Sequence, residues 1–147
     1  MDHTHQKHAP AKTHAATPVE ARMHANPRCV ERDQPLQGAR DLMKQHDLRH
    51  LPVLDHGKLV GVLSERDLYY LESVMRVDTD VDTVREAMNP RVYTVPVGTP
   101  ITSVLSEMAH QKYGCAIVMN GTEVAGIFTT TDALHLLVEC FRKHPAL

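Results

Sequence analysis

From residue 18 onward the apolar residues fall into short blocks whose period switches between that of a helix and that of a strand. Leu36, Ala39, Met43 and His46 lie on one face of a helix predicted over residues 35–46, with Pro35 well suited to its first turn. Residues 50–54 and 58–63 read as two strands joined at Asp55-His56-Gly57, a hairpin turn, and a helix over 65–76 follows. Upstream, residues 19–24 read as a short helix and 29–31 as a short strand. The succession then returns: helix 82–88, strand 92–95, helix 100–110, strand 115–119, a turn at Asn120-Gly121, strand 123–128 and helix 130–142. The predicted order is α-β-α-β-β-α, twice.

The repetition extends to individual residues. Gly61-Val62-Leu63-Ser64-Glu65-Arg66-Asp67 reappears 65 residues later as Gly126-Ile127-Phe128-Thr129-Thr130-Thr131-Asp132. The same offset, without a gap, superposes Met23 on Met88, Val30 on Val95, Pro35 on Pro100, Met43 on Met108, Val53 on Val118 and Leu71 on Leu136. One unit was duplicated, and internal pseudo-twofold symmetry is expected. The chain divides into a tail (1–17), a first repeat (18–80) and a second repeat (81–147).

Composition narrows the function classes. A net charge of −2 over 147 residues provides no broad basic surface, which argues against nucleic acid or an anionic membrane as main partner. No apolar run approaches the roughly 20 residues of a membrane span, so a soluble, cytoplasmic protein is expected. Cys29, Cys115 and Cys140 are too few and too scattered for a disulfide framework and read as small buried hydrophobes. The tail holds His3, His5, His8 and His14 with almost nothing apolar larger than Ala, and is expected to be disordered. It reads either as a solvated segment or as a site for copper, nickel or zinc, with His3, His5 and His8 as the candidate ligands.

The repeated motif has two chemical readings. Ser64 and Thr129 sit where an N-cap belongs, with Asp67 and Asp132 three residues on, which is the spacing of a capping box. A cap alone does not require Gly61 and Gly126, since glycine weakens a strand unless something must approach closely. In the second reading, a carboxylate beside a helix N-terminus accepts both hydroxyls of a ribose while the first-turn amides favour a phosphate. Arg49, His50 and Arg66 stand near the first motif as phosphate partners or solvated charges, and Lys112, Thr129 and Thr131 near the second.

Residues 19–141 resemble a pair of cystathionine-β-synthase (CBS) domains, carried by His50-Leu51-Pro52-Val53-Leu54-Asp55 and by the two Gly-apolar-x-(Ser/Thr)-x-x-Asp motifs. The resemblance implies an α/β fold of two pseudo-twofold-related repeats, each a small three-stranded sheet with flanking helices, leaving two clefts that bind adenosine-containing ligands. By this likeness the first cleft draws on Val30, His50, Leu51, Pro52, Ser64, Arg66 and Asp67. The second draws on Thr94, Val95, Ala116, Ile117, Thr129, Thr131 and Asp132. Thr94-Val95 matches the edge that bonds the adenine rim, whereas Cys29-Val30 departs from it by placing Cys where Thr is usual. The second cleft therefore has the better base-and-ribose pattern and the first the better phosphate pattern.

The function implied is a regulatory module sensing an adenine nucleotide or adenosyl ligand (AMP, ADP, ATP, NAD or similar), with no cofactor required. No Ser-His-Asp order, paired acid/base carboxylates or Walker loop points to an enzyme. A ligand-free docking or dimerisation module and a metal-handling protein acting through the tail are the alternatives. No catalytic, transport or DNA-binding unit accompanies the pair, so regulation is expected to act on a separate protein, or the module is itself the sensor. Finally, Leu134, Leu137, Val138 and Phe141 form a second apolar stripe on the last helix, predicting a homodimer contact unless the 19–24 helix covers it.

Overall fold

The computed structural model describes residues 17–76 and 78–146. The elements follow the predicted order closely: β1 (His24–Ala25), β2 (Val30–Glu31), α1 (Leu36–His46), β3 (His50–Asp55), β4 (Lys58–Ser64) and α2 (Glu65–Val74) form the first repeat. The second comprises α3 (Val84–Ala87), β5 (Thr94–Pro96), α4 (Ile101–Gln111), β6 (Cys115–Asn120), β7 (Glu123–Thr129) and α5 (Thr130–Lys143). One expectation is corrected. Residues 19–24 are not a single helix but a 3-10 turn, Val19–Ala21, followed by β1.

That short strand leaves its own repeat. β1 pairs antiparallel with β7, His24 opposite Ile127 and Ala25 opposite Gly126, so the second sheet has four strands in the order β1-β7-β6-β5. The first sheet has three, β2-β3-β4, with β2–β3 parallel and β3–β4 antiparallel. The exchange is reciprocal. Val19 N–H donates to Thr99 O and Ile101 N–H to Thr17 O (2.8 Å each); in the mirrored pairs Val84 N–H donates to Gln34 O (3.0 Å) and Leu36 N–H to Asp82 O (2.9 Å). Val19 accordingly packs in the second core with Val95, Ile101, Val104, Met108, Ala116, Val118 and Phe128. Val84 and Ala87 pack in the first with Val30, Leu36, Ala39, Met43, Leu51, Val53, Leu63 and Leu68. A third cluster, Cys115, Ile117 and Ile127 against Leu59 and Val62, joins the two sheets.

Local chemistry explains the matching hairpins. His56 and Gly57 both have positive φ (49° and 82°), the requirement of a tight two-residue turn between Asp55 and Lys58. Each hairpin then carries a register shift at the same place, after Val53 and after Val118, opposite Gly61 and Gly126. The glycines are needed because methionines of the leading segments lie on them. A Cβ on Gly61 would stand 2.8 Å from Met88 Sδ and 3.0 Å from Asn89 O, and one on Gly126 would stand 2.8 Å from Met23 Cγ. What comes close to each glycine is therefore the exchanged segment.

The last helices diverge. Leu68 is buried in the first core with Leu71 against it, but Met75 is exposed, and α2 ends at Val74, two residues short of the predicted bound. In α5, Ala133 and Leu136 touch the second core, yet no residue of the helix is buried. The stripe of Leu134, Leu137, Val138 and Phe141 stays exposed, and Arg22, just after the 19–21 turn, is ion-paired to Glu139 of α5 (2.8 Å).

Gly126→Ala should destabilise the fold by about 1–3 kcal/mol, the cost of displacing Met23 by overpacking. In a double-mutant cycle with Met23→Ala much of this cost should disappear, and denaturant titration of the four proteins measures the coupling.

Candidate functional site

Each signature strand ends at a hydroxyl residue and turns directly into a helix. At the first, Ser64 Oγ accepts from Asp67 N–H (3.0 Å) and Arg49 O from Glu65 N–H (2.8 Å). These bonds leave Arg66 N–H as the first-turn amide that neither engages. At the second, Thr129 Oγ1 accepts from Asp132 N–H (3.3 Å) and Gly114 O from Thr130 N–H (3.0 Å). The backbones match; the carboxylates do not. Asp132 closes a full capping box, its Oδ2 accepting from Thr129 N–H (2.8 Å) and Oγ1–H (2.9 Å), and its Oδ1 meets His24 Nε2 at 2.8 Å. The Asp67 carboxylate closes no such box on Ser64.

Asp67 instead borders a cleft of about 1020 Å³, at the upper end of the range for small-molecule sites. The first repeat contributes Arg49, His50, Ser64, Arg66 and Asp67; the second contributes Asn89, Arg91, Lys112, Tyr113 and Gly114. Tyr69 and Tyr70 of α2 add aromatic surface, and Tyr113 is stacked on Tyr93 with centroids 5.1 Å apart. Lys112, which by sequence belongs near the second motif, thus lines the first cleft. Its loop lies against the first repeat where Gly114 meets the His50 imidazole.

The remaining candidates are dispersed. Val30, Leu51, Pro52, Val95, Ala116 and Ile117 are buried in the sheets and line neither this cleft nor the groove described below. Thr94 and Thr131 are exposed, while Thr129 is engaged with Asp132. Of the cysteines only Cys115 is fully buried, and burial pushes its thiol up to about 12, which makes it inert. Cys29 and Cys140 are half-buried, unlike the expected core positions. His3, His5 and His8 lie outside the described residues, among which no group of three or more His, Cys, Asp or Glu could hold a metal. No helix among them is long and apolar enough to cross a membrane.

Sequence reasoning missed Asn89, Arg91, Tyr113, Gly114 and His24. Gly114 matters because its missing side chain makes room for His50: a Cβ there would lie 2.9 Å from the imidazole Nε2. Burial pulls His50 below its ordinary value and Arg49 adds to the fall, against the opposing pull of the Asp67 and Glu65 carboxylates.

A CBS domain model matches residues 19–72 and 84–139. The chain belongs to the CBS domain family. Hypoxic response protein 1 of Mycobacterium tuberculosis is 28% identical over 116 residues, covering 78% of this chain and 81% of that protein. A crystal structure of Hypoxic Response Protein I with two coordinated zinc ions superposes with a TM-score of 0.71 at 25% identity, over 81% of this chain and 98% of that one. The CBS pair of the MJ0100 protein, solved with 5'-methylthioadenosine and S-adenosyl-L-methionine, has a TM-score of 0.74 at 25% identity, covering 82% and 99% of the two chains. The pairing of a CBS module with adenosine-containing ligands is thus found in a protein similar to this one.

The depressed His50 predicts a pH effect with a definite sign. The unfolded chain, with an imidazole near 6.5, binds the proton more readily than the folded one, so stability falls as pH drops below about 6.5. His50→Gln should flatten this part of the stability curve, measured as unfolding midpoints between pH 7.5 and 5.

Proposed function

We propose that the chain is a regulatory module that binds an adenosine-containing ligand in the cleft beside α2, with Asp67 accepting the ribose hydroxyls. The observation that carries this reading is the uncommitted Asp67 carboxylate at the N-terminus of a capped helix, inside a cleft large enough for a nucleotide. A ribose needs an acceptor pair that is not already engaged, and Asp132 is engaged three times over. The MJ0100 complex supports the ligand class. Because both repeats contribute to the cleft wall, ligand binding favours whichever relative arrangement of the repeats it touches best, and shifts the equilibrium by that difference alone.

Saturating ligand at 100 times its Kd should raise stability by roughly 2.7 kcal/mol. Asp67→Ala should weaken binding by about 1.5–3 kcal/mol through the lost charged hydrogen bonds. Asp132→Ala should keep the affinity and cost about 1 kcal/mol of stability as a lost cap. Calorimetric titration with adenosyl ligands and denaturant melts read both; unchanged affinity in Asp67→Ala would reject the assignment.

We also propose that two copies associate through α5. A 14-residue helix with no buried residue and an exposed Leu134, Leu137, Val138 and Phe141 stripe has apolar area left to cover. An isologous contact matches such a stripe to itself. The stripe adjoins an apolar groove of about 510 Å³ between α4 and α5. Leu137→Glu should yield a folded monomer by light scattering with its circular dichroism intact; loss of the fold would instead make Leu137 a structural residue.

A further inference from the structure

The methionines of the described residues fall into three environments. Met43 and Met108 are buried in the two cores, and Met75 is exposed. Met23, Met88 and Met119 are half-buried and so partly accessible in the folded protein. Two of these three carry the strand exchange. Met23 packs against the second core and Met88 against the first, each with its thioether pressed on the signature glycine of the other repeat.

The sulfur is the atom nearest each glycine. A Cβ on Gly61 would stand 2.8 Å from Met88 Sδ and 3.2 Å from its Cγ; at Gly126 the Met23 sulfur is again nearest, with Cγ and Cε at 2.8 and 2.9 Å. No polar or charged residue is buried among the described residues, so no side chain inside either core can donate to an oxygen placed on that sulfur. The segments held by the methionines are short. β1 keeps two residues on β7, extended only by Asn26 N–H to Ala125 O (3.0 Å). After Met88, Asn89 bridges to Val62 through Val62 N–H to Asn89 O (3.0 Å) and Asn89 N–H to Val62 O (2.9 Å). Pro90 follows and has no N–H with which to continue the pairing. With so few backbone bonds, packing of the methionine is a large part of what keeps each segment on its strand.

We propose that Met23 and Met88 are oxidation sites, and that a peroxide acting on them undoes the strand exchange. In the step a sulfur lone pair attacks one peroxide oxygen and the O–O bond breaks. The other oxygen leaves as hydroxide and takes the proton of the transferred hydroxyl, giving sulfoxide and water; sulfur loses the two electrons that the peroxide gains. The new oxygen adds bulk and a strong dipole to a sulfur seated on carbon, so the side chain leaves its glycine. β1 then separates from β7, and Asn89 from Val62. The second release also loosens the wall of the first cleft, which Val62, Asn89 and Arg91 line. The inference stands whatever that cleft binds.

The test treats the full chain with graded hydrogen peroxide, reads sulfoxide at each methionine by peptide mass spectrometry, and follows amide hydrogen exchange by NMR. Met75 should oxidise first and change nothing. Oxidation of Met23 should speed exchange at the Asn26 amide, and of Met88 at the Asn89 and Val62 amides, by about tenfold or more, the effect of losing one methionine's packing. Methionine sulfoxide reductases supplied with dithiothreitol should restore slow exchange; dithiothreitol alone should not. Met23→Leu with Met88→Leu should resist the same dose, while Met75→Leu stays as sensitive as wild type. Slow exchange that persists with Met23 and Met88 fully oxidised overturns the proposal. So does sulfoxide that forms at these two no faster than at buried Met43 and Met108, or recovery with dithiothreitol alone, which would place the effect on cysteine. A folded leucine double variant as sensitive as wild type overturns it too; if that variant fails to fold, the site-resolved exchange of wild type decides.

Discussion

The architecture depends on a close approach that occurs twice: a methionine of each repeat's leading segment lies against the signature glycine of the other repeat. Met23 on Gly126 and Met88 on Gly61 sit where the hairpins change register, so one bulge both bends the strand and bares the surface that the methionine needs. Around these contacts the reciprocal backbone bonds at Val19, Ile101, Leu36 and Val84 close the exchange. Neither core is complete without a residue from the other repeat, Val19 in one and Val84 in the other. The module is thereby a cooperative pair, and its clefts necessarily mix residues of both halves.

Within this symmetric frame the side chains have diverged while the backbone has not. Both α2 and α5 begin with a hydroxyl cap and a carbonyl from the preceding strand's partner, Arg49 O or Gly114 O. Backbone geometry is held by packing, and packing is held by the shared apolar pattern. Charges at the cleft rim contribute little to folding, so they were able to change independently. The result is a cleft lined by four cations with an open carboxylate at the first motif, and a carboxylate bonded to Thr129 and His24 at the second.

The helical side diverges in the same way. Tyr69, Glu72, Ser73 and Arg76 of the first repeat correspond to Leu134, Leu137, Val138 and Phe141 of the second. Glu72 is tied to Arg40 within its own repeat, whereas the α5 stripe has no such partner. Tyr113 borders both the charged cleft and the apolar groove under α5, so a single side chain walls the ligand site and the proposed association surface.

By itself the sequence determined the duplication, the order of helices and strands, the tight hairpins and the capped signature motifs. These are local: period, turn residues and cap spacing act within a few positions, and the fixed offset of 65 residues makes the repeat visible without coordinates. His50, Ser64, Arg66 and Asp67 were legible as neighbours for the same reason. Only the tertiary structure decided that residues 24 and 25 cross to β7, that Lys112 and Arg91 face the first motif, and that Met23 and Met88 account for the glycines. Those contacts join residues tens of positions apart, and no local pattern encodes which of two equivalent partners a short segment will choose. Asp132 is engaged both by its local capping box with Thr129 and, at such a long-range contact, by His24, where the first repeat has Asn89 bonded to Arg91 instead.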